Sequence, residues 1–115
     1  MITPGVVPAL ALAVRALTAP GDAVVIEEPV YYPFREVVEA SGRTVAAVPL
    51  TRDADGVYRR DTTALEAALE RTGARLLLLC NPHNPVGRVW SRDELAELAE
   101  VTGRHDVVVV ADEIH

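Results

Sequence analysis

The chain has 115 residues, half of them apolar, which is enough for one compact domain with a sizeable core. Its net charge of -6 excludes the clustered positive surface that nucleic acid or an anionic membrane requires, and no apolar run approaches the roughly 20 residues of a membrane span. The single cysteine, Cys80, excludes an internal disulfide and fits a reducing compartment. No basic segment precedes an apolar stretch and a small-residue cleavage site, so no signal peptide is expected and the cytoplasm is the expected location. All 11 cations are arginine, so no lysine of this chain can take part in any chemistry.

Thr3-Pro4-Gly5-Val6-Val7-Pro8 leads into an Ala-rich apolar segment. There Leu10, Leu12, Val14 and Leu17 predict a mostly buried helix over 9–17, stopped near Pro20-Gly21. Ala23-Val24-Val25-Ile26 predicts a short β-branched strand, followed by the loop Glu27-Glu28-Pro29-Val30-Tyr31-Tyr32-Pro33. A helix is expected over 34–40, with Phe34, Val37 and Val38 on one face and Ser41-Gly42 as its stop. Thr44-Val45-Ala46-Ala47-Val48 is the second predicted strand. The polar segment 51–60, with an Asp55-Gly56 turn signal, is expected to wander over the surface.

Asp61 is a good N-cap for a helix over 62–71, with Leu65, Ala68 and Leu69 as its core stripe and Gly73 as its end. The third predicted strand is 75–79. Ser91-Arg92-Asp93-Glu94 reads as a capping box opening a helix with Leu95, Leu98 and Ala99 inward, ended by Gly103. His105 is expected in a solvated connection to the fourth strand, 107–110, which runs into Asp112-Glu113-Ile114-His115. Strands that alternate with helices and are apolar throughout mean an α/β fold. We expect a three-layer α/β/α architecture on a mainly parallel sheet, joined by right-handed crossovers. The chain stops straight after a strand, so it is expected to be a piece of something larger.

The chemistry concentrates on Cys80-Asn81-Pro82-His83-Asn84-Pro85-Val86-Gly87, a stretch ended by two prolines and a glycine after an apolar run. It reads as a rigid loop at the carboxyl end of a buried strand, where open parallel sheets bind ligands. In a parallel sheet the loops 27–33, 81–87 and 112–115 share that edge, together with the helix start at Gly5-Val6-Val7. Asp112 would sit in desolvating surroundings, where a carboxylate serves either as a cap or as the acceptor for a buried cationic group. Gly5 leaves room for a phosphate at the amides of Val6 and Val7, although an ordinary Pro-Gly helix entry reads the same way. Tyr31 and Tyr32 are held between prolines, so that one can offer a stacking face while the other packs or reaches water. Phe34 and Trp90 are assigned to packing, and Cys80 to a small buried position at a strand end. Cys80-x-x-His83 and Asp112-x-x-His115 have the ligand types of zinc, but their spacing matches no established zinc pattern and no metal is expected.

The forms Asn81-Pro82-His83-Asn84-Pro85-Val86-Gly87-Arg88-Val89-Trp90 and Asp112-Glu113-Ile114-His115, with Pro29-Val30-Tyr31 upstream, resemble the class I/II aminotransferases. These are pyridoxal-phosphate enzymes of fold type I, and the chain is most similar to their cystathionine β-lyase-like C–S lyase branch. The resemblance spans the whole chain and implies the middle of the family's large, cofactor-binding domain, without the small domain. It implies pyridoxal 5'-phosphate, a small-molecule amino-acid substrate and a homodimer with sites near the subunit interface.

By the same resemblance Asp112 pairs with the pyridine nitrogen and Asn84 bonds the phenolic oxygen. Tyr31 stacks on the ring, and Gly5, Val6 and Val7 bind the phosphate. His115 stands where most aminotransferases carry a tyrosine, which, with Arg88-Val89-Trp90, favours β-elimination of a C–S bond over transamination. The family's Schiff-base lysine and its substrate-binding arginine fall downstream of these motifs, so the chain alone is expected to be inactive. The alternative expectation is a non-catalytic piece that binds cofactor without a covalent link, or associates with itself through open sheet edges.

Overall fold

A computed structural model describes residues 2–115. Four strands, β1 (Ala23–Glu28), β2 (Thr44–Pro49), β5 (Leu76–Cys80) and β6 (Val108–Asp112), form one parallel sheet in the order β2-β1-β5-β6. Helices α1 (Val6–Leu17) and α2 (Pro33–Ala40) cover one face, and α3 (Thr62–Thr72) and α4 (Arg92–Arg104) the other. The expected three-layer α/β/α fold is therefore present.

The two central strands show why their sequences read as unbroken apolar runs. In β1, Val24 and Ile26 pack under α1 and α2 while Val25 packs under α3 and α4. In β5, Leu76, Leu78 and Cys80 face the first layer, and Leu77 and Leu79 the second. A strand covered on both faces has no polar side to alternate with. The expectation of apolar burial throughout fails for β2 and β6, where exposed and buried residues are mixed because these strands lie outermost in the sheet.

The predicted caps hold: the Asp61 carboxylate accepts from the Ala64 N–H at 2.9 Å. Ser91 and Glu94 exchange the two bonds of a capping box at 3.2 and 2.8 Å. Other expectations need correction. The first helix starts at Val6 as the Gly5-Val6-Val7 entry implied, but it is not mostly buried: Leu10 and Val14 face the core while Leu12 and Leu17 are exposed. Segment 51–60 is ordered, forming the hairpin β3 (Thr51–Arg52) and β4 (Tyr58–Arg59), and Arg60 is buried behind it. Gly103 lies inside α4; the turn that ends the helix is made by Asp106, at φ 53°. His105 is half-buried against the Glu66 carboxylate at 3.2 Å, rather than solvated. No helix among the described residues is long and apolar enough to cross a membrane.

Candidate functional site

The strand order creates the site. From β1 the chain moves outward to β2, then returns to place β5 on the other side of β1. Loops leaving β1 and β5 thus diverge at a topological switch point, and a crevice opens at the carboxyl edge between them. A cavity of about 340 Å³ lies there, lined by Val6, Val7, Tyr31, Cys80, Pro82, Asn84, Asp112, Ile114 and His115. The structure brings together every predicted site residue except Gly5, which precedes the cavity as the N-cap of α1.

At the start of α1 no side chain caps the backbone, and Pro8 has no N–H to offer. The amides of Val6 and Val7 are left without partners within the helix, and both residues line the cavity. They form a donor pair at the positive end of the helix dipole, suited to an anion. Gly5 holds φ 158° and ψ 176°, a conformation that residues with side chains rarely adopt.

On the opposite wall Asp112 ends β6 in register with Cys80, and its carbonyl accepts from the Asn81 N–H at 3.0 Å. Asp112 is 7% exposed. One oxygen, Oδ1, accepts from the Ile114 N–H at 3.0 Å, and Oδ2 has no partner among the described residues. Oδ2 is not sealed from solvent, and a largely buried carboxylate with a free oxygen at a cavity offers an acceptor to a donor or cation of a ligand. Beside it, burial pushes the Cys80 thiol up from its ordinary pKa. Its S–H donates to the Pro82 carbonyl at 3.3 Å, so Cys80 is a packed neutral group.

The Asn84 amide makes no bond within the described chain, although its backbone N–H is held by Cys80 Sγ at 3.4 Å. Tyr31 lines the cavity and Tyr32 is turned to solvent, as one of the two was expected to be. His115 sits at the rim. Arg88 and Trp90 do not line the cavity, so of the residues read as favouring elimination only His115 reaches it.

Behind the Asn84 loop lies a buried polar assembly that sequence reasoning missed. Glu27 and Arg60 form a two-fold contact at 2.5 and 2.8 Å, and Arg60 also donates to the Glu94 carbonyl at 3.1 Å. The guanidiniums of Arg60 and Arg88 lie 4.6 and 4.9 Å from the Trp90 ring centre. Arg88 is bound in turn by Glu94 and by the Tyr58 carbonyl. Trp90 donates through Nε1 to the Cys80 carbonyl and through its backbone N–H to Asn81 Oδ1, each at 3.1 Å. The available signal was Glu27 itself: a carboxylate continuing a buried strand requires a buried cation.

His83 also belongs to this assembly. Its ring is turned toward Trp90 and the Pro29 carbonyl, and it does not line the cavity bordered by Cys80, Asp112 and His115. Among the described residues no three metal-ligating side chains cluster.

The family model for aminotransferase class I and II matches residues 1–115. Cystathionine beta-lyase PatB of Bacillus subtilis is 50% identical over 113 residues, covering 98% of this chain and 29% of that protein. Cystalysin from Treponema denticola, solved with pyridoxal 5'-phosphate, superposes with a TM-score of 0.93 at 43% identity, covering 98% of this chain and 28% of cystalysin. The N-succinyldiaminopimelate aminotransferase of Mycobacterium tuberculosis superposes at 0.90 with 37% identity, again over 98% of this chain but 29% of the enzyme. This chain therefore spans less than a third of the length of the relatives it matches. With its whole length matched, the chain belongs to the class I and II aminotransferase family.

Proposed function

We propose that this chain forms the cofactor-binding part of a longer pyridoxal-phosphate enzyme acting on amino acids. The observation that carries the reading is the pairing, across one cavity of about 340 Å³, of an uncapped helix start with a buried half-free carboxylate. The cavity volume falls within the roughly 300–1,000 Å³ of small-ligand sites.

The residues fit the group at each end. Val6 and Val7 would take the phosphate on their backbone N–H groups, with Gly5 allowing the chain to turn into the helix. Asp112 Oδ2 would accept a hydrogen bond from the protonated pyridine nitrogen, and a carboxylate there keeps that proton on the ring. Asn84 would donate its amide to the phenolic oxygen, and Tyr31 would cover one face of the ring. The bound cofactor supplies an electron sink that stabilises negative charge at the substrate's Cα. Asp112 tunes that sink, while Tyr31 and Asn84 fix its orientation.

The reaction proposed is β-elimination of a C–S bond, with transamination as the other outcome of the same Cα chemistry. Support for elimination is the C–S lyase character of relatives such as PatB and His115 at the cavity rim. The lysine that would anchor the cofactor covalently and move the Cα proton is not among these 115 residues, so the chain alone would bind without turning over. We place it in the large domain of the longer enzyme, a cytoplasmic homodimer on the strength of the family and of the single buried, unpaired Cys80.

The test uses the polypeptide carrying this chain, isolated from its natural source and given cystathionine. Release of pyruvate supports the lyase, and transfer of the amino group to a keto acid without pyruvate reverses the choice. Failure of both sinks the enzyme reading.

A further inference from the structure

His83 does not line the cavity bordered by the candidate cofactor ligands, yet it is bonded to both loops that carry them. Its backbone N–H donates to the Arg88 carbonyl at 2.6 Å and its carbonyl accepts from the Gly87 N–H at 2.8 Å, closing the Asn84 loop on itself. Its ring meets Trp90 edge-on, with centroids 5.5 Å apart and planes at 82°. Its Nε2 lies 2.9 Å from the carbonyl of Pro29, on the loop that carries Tyr31. That contact crosses the switch point between β1 and β5.

The protonation of the ring follows from its partners. A carbonyl can only accept, so Nε2 carries the hydrogen and donates it to Pro29. In the neutral ring Nδ1 is then a bare acceptor. That atom is buried with no hydrogen-bond partner, and it is the one such side-chain atom among the described residues. The buried pair Glu27 and Arg60 stands nearby, and the two charges act on the ring in opposite directions. An orphaned buried acceptor is a standing cost that leucine would avoid while still packing against Trp90. The fold carries that cost, and what the imidazole gives in return is the donor to Pro29.

We propose that His83 is a positioning residue for this site, its Nε2–H locking the loop that carries Tyr31 to the loop that carries Asn84. The inference rests on the cofactor reading for its purpose, since those two residues would flank the ring and contact its phenolic oxygen. The lock itself is a property of the chain. Without it each loop still has its own anchors, Trp90 for one and the start of α2 for the other. What is lost is their relative placement.

The test compares the wild-type chain with His83→Leu and His83→Gln, read by amide hydrogen exchange and by equilibrium dialysis against pyridoxal 5'-phosphate. Gln can extend an amide N–H toward the Pro29 carbonyl, whereas Leu cannot. In His83→Leu the amides of Phe34 and Arg35, which donate to the Tyr31 and Tyr32 carbonyls, should exchange about tenfold faster, and cofactor affinity should fall about tenfold, the effect of one buried carbonyl losing its donor. His83→Gln should return both toward wild type. If His83→Leu lost its far-UV circular dichroism, His83→Asn, too short to reach, would take its place.

Faster exchange confined to residues 81–90 overturns the proposal. So does loosening of both loops with unchanged cofactor affinity. A wild-type chain that binds no pyridoxal phosphate contradicts the cofactor reading instead, and the exchange data alone then decide whether His83 couples the loops.

Discussion

Arg60 closes on Glu27 through two N–H···O contacts of 2.5 and 2.8 Å, with the two side chains 3% and 1% exposed. The pair joins the end of β1 to the segment entering α3, and Arg60 also rests on Trp90, which anchors the Asn84 loop. Removing either partner would strand a buried charge. Glu27→Ala or Arg60→Ala should each cost about 3–5 kcal/mol in urea unfolding, and a double Glu27→Leu/Arg60→Met variant should cost less than either. The exposed Arg59–Asp53 pair is the control, and Arg59→Ala should leave the unfolding midpoint unchanged.

Burial lowers the pKa of His83 below its ordinary value of 6.5, against the opposing pull of the Pro29 carbonyl. The unfolded chain therefore takes up a proton that the folded chain refuses. Stability from this group is fully present above about pH 6.5 and is lost as pH falls from there toward the folded value. The urea midpoint should drop between about pH 7.5 and pH 5.5, and His83→Gln should flatten that part of the profile. An identical slope in the variant would assign the drop to other groups.

Asp112→Asn preserves the acceptor for Ile114 while removing the charge from Oδ2. The variant should fold as the wild type does and bind pyridoxal phosphate at least about tenfold more weakly, since a charge-assisted bond to the ring nitrogen is exchanged for a neutral one. Equilibrium dialysis on both proteins measures this. Equal affinities would remove Asp112 from the site.

Phe34 is fully buried beneath α1, whereas its near neighbour Tyr32 is 66% exposed. Phe34→Ala should destabilise by about 3–5 kcal/mol, and Tyr32→Ala by less than about 0.5 kcal/mol. Chemical denaturation of the two variants checks that packing, and not the aromatic character of this segment, sets its stability.

The fold was legible because its strands and caps are written locally. Leu76 to Leu79 read as a two-sided strand, Asp61 and Ser91 marked helix starts, and each proved correct in the structure. The gathering of Val6, Tyr31, Asn84 and Asp112 was legible too, because a parallel sheet sends all its carboxyl-end loops to one edge. The support behind them was not. Arg60 reads as one more polar residue in a surface segment, and only its 33-residue separation from Glu27, closed by the fold, makes it a buried partner. His83 read only as part of a rigid proline loop, or as a metal ligand, because nothing local tells which way its ring turns.

The most direct test of the cofactor site is a two-dimensional 15N–1H NMR titration of the chain with pyridoxal 5'-phosphate, and separately with pyridoxal. The account predicts that the phosphate ester moves the Val6 and Val7 amide resonances strongly and saturably, while pyridoxal at the same concentrations leaves them in place. Shifts that spare Val6 and Val7, or that pyridoxal produces equally well, would contradict a phosphate site at the start of α1 and with it the proposed binding mode.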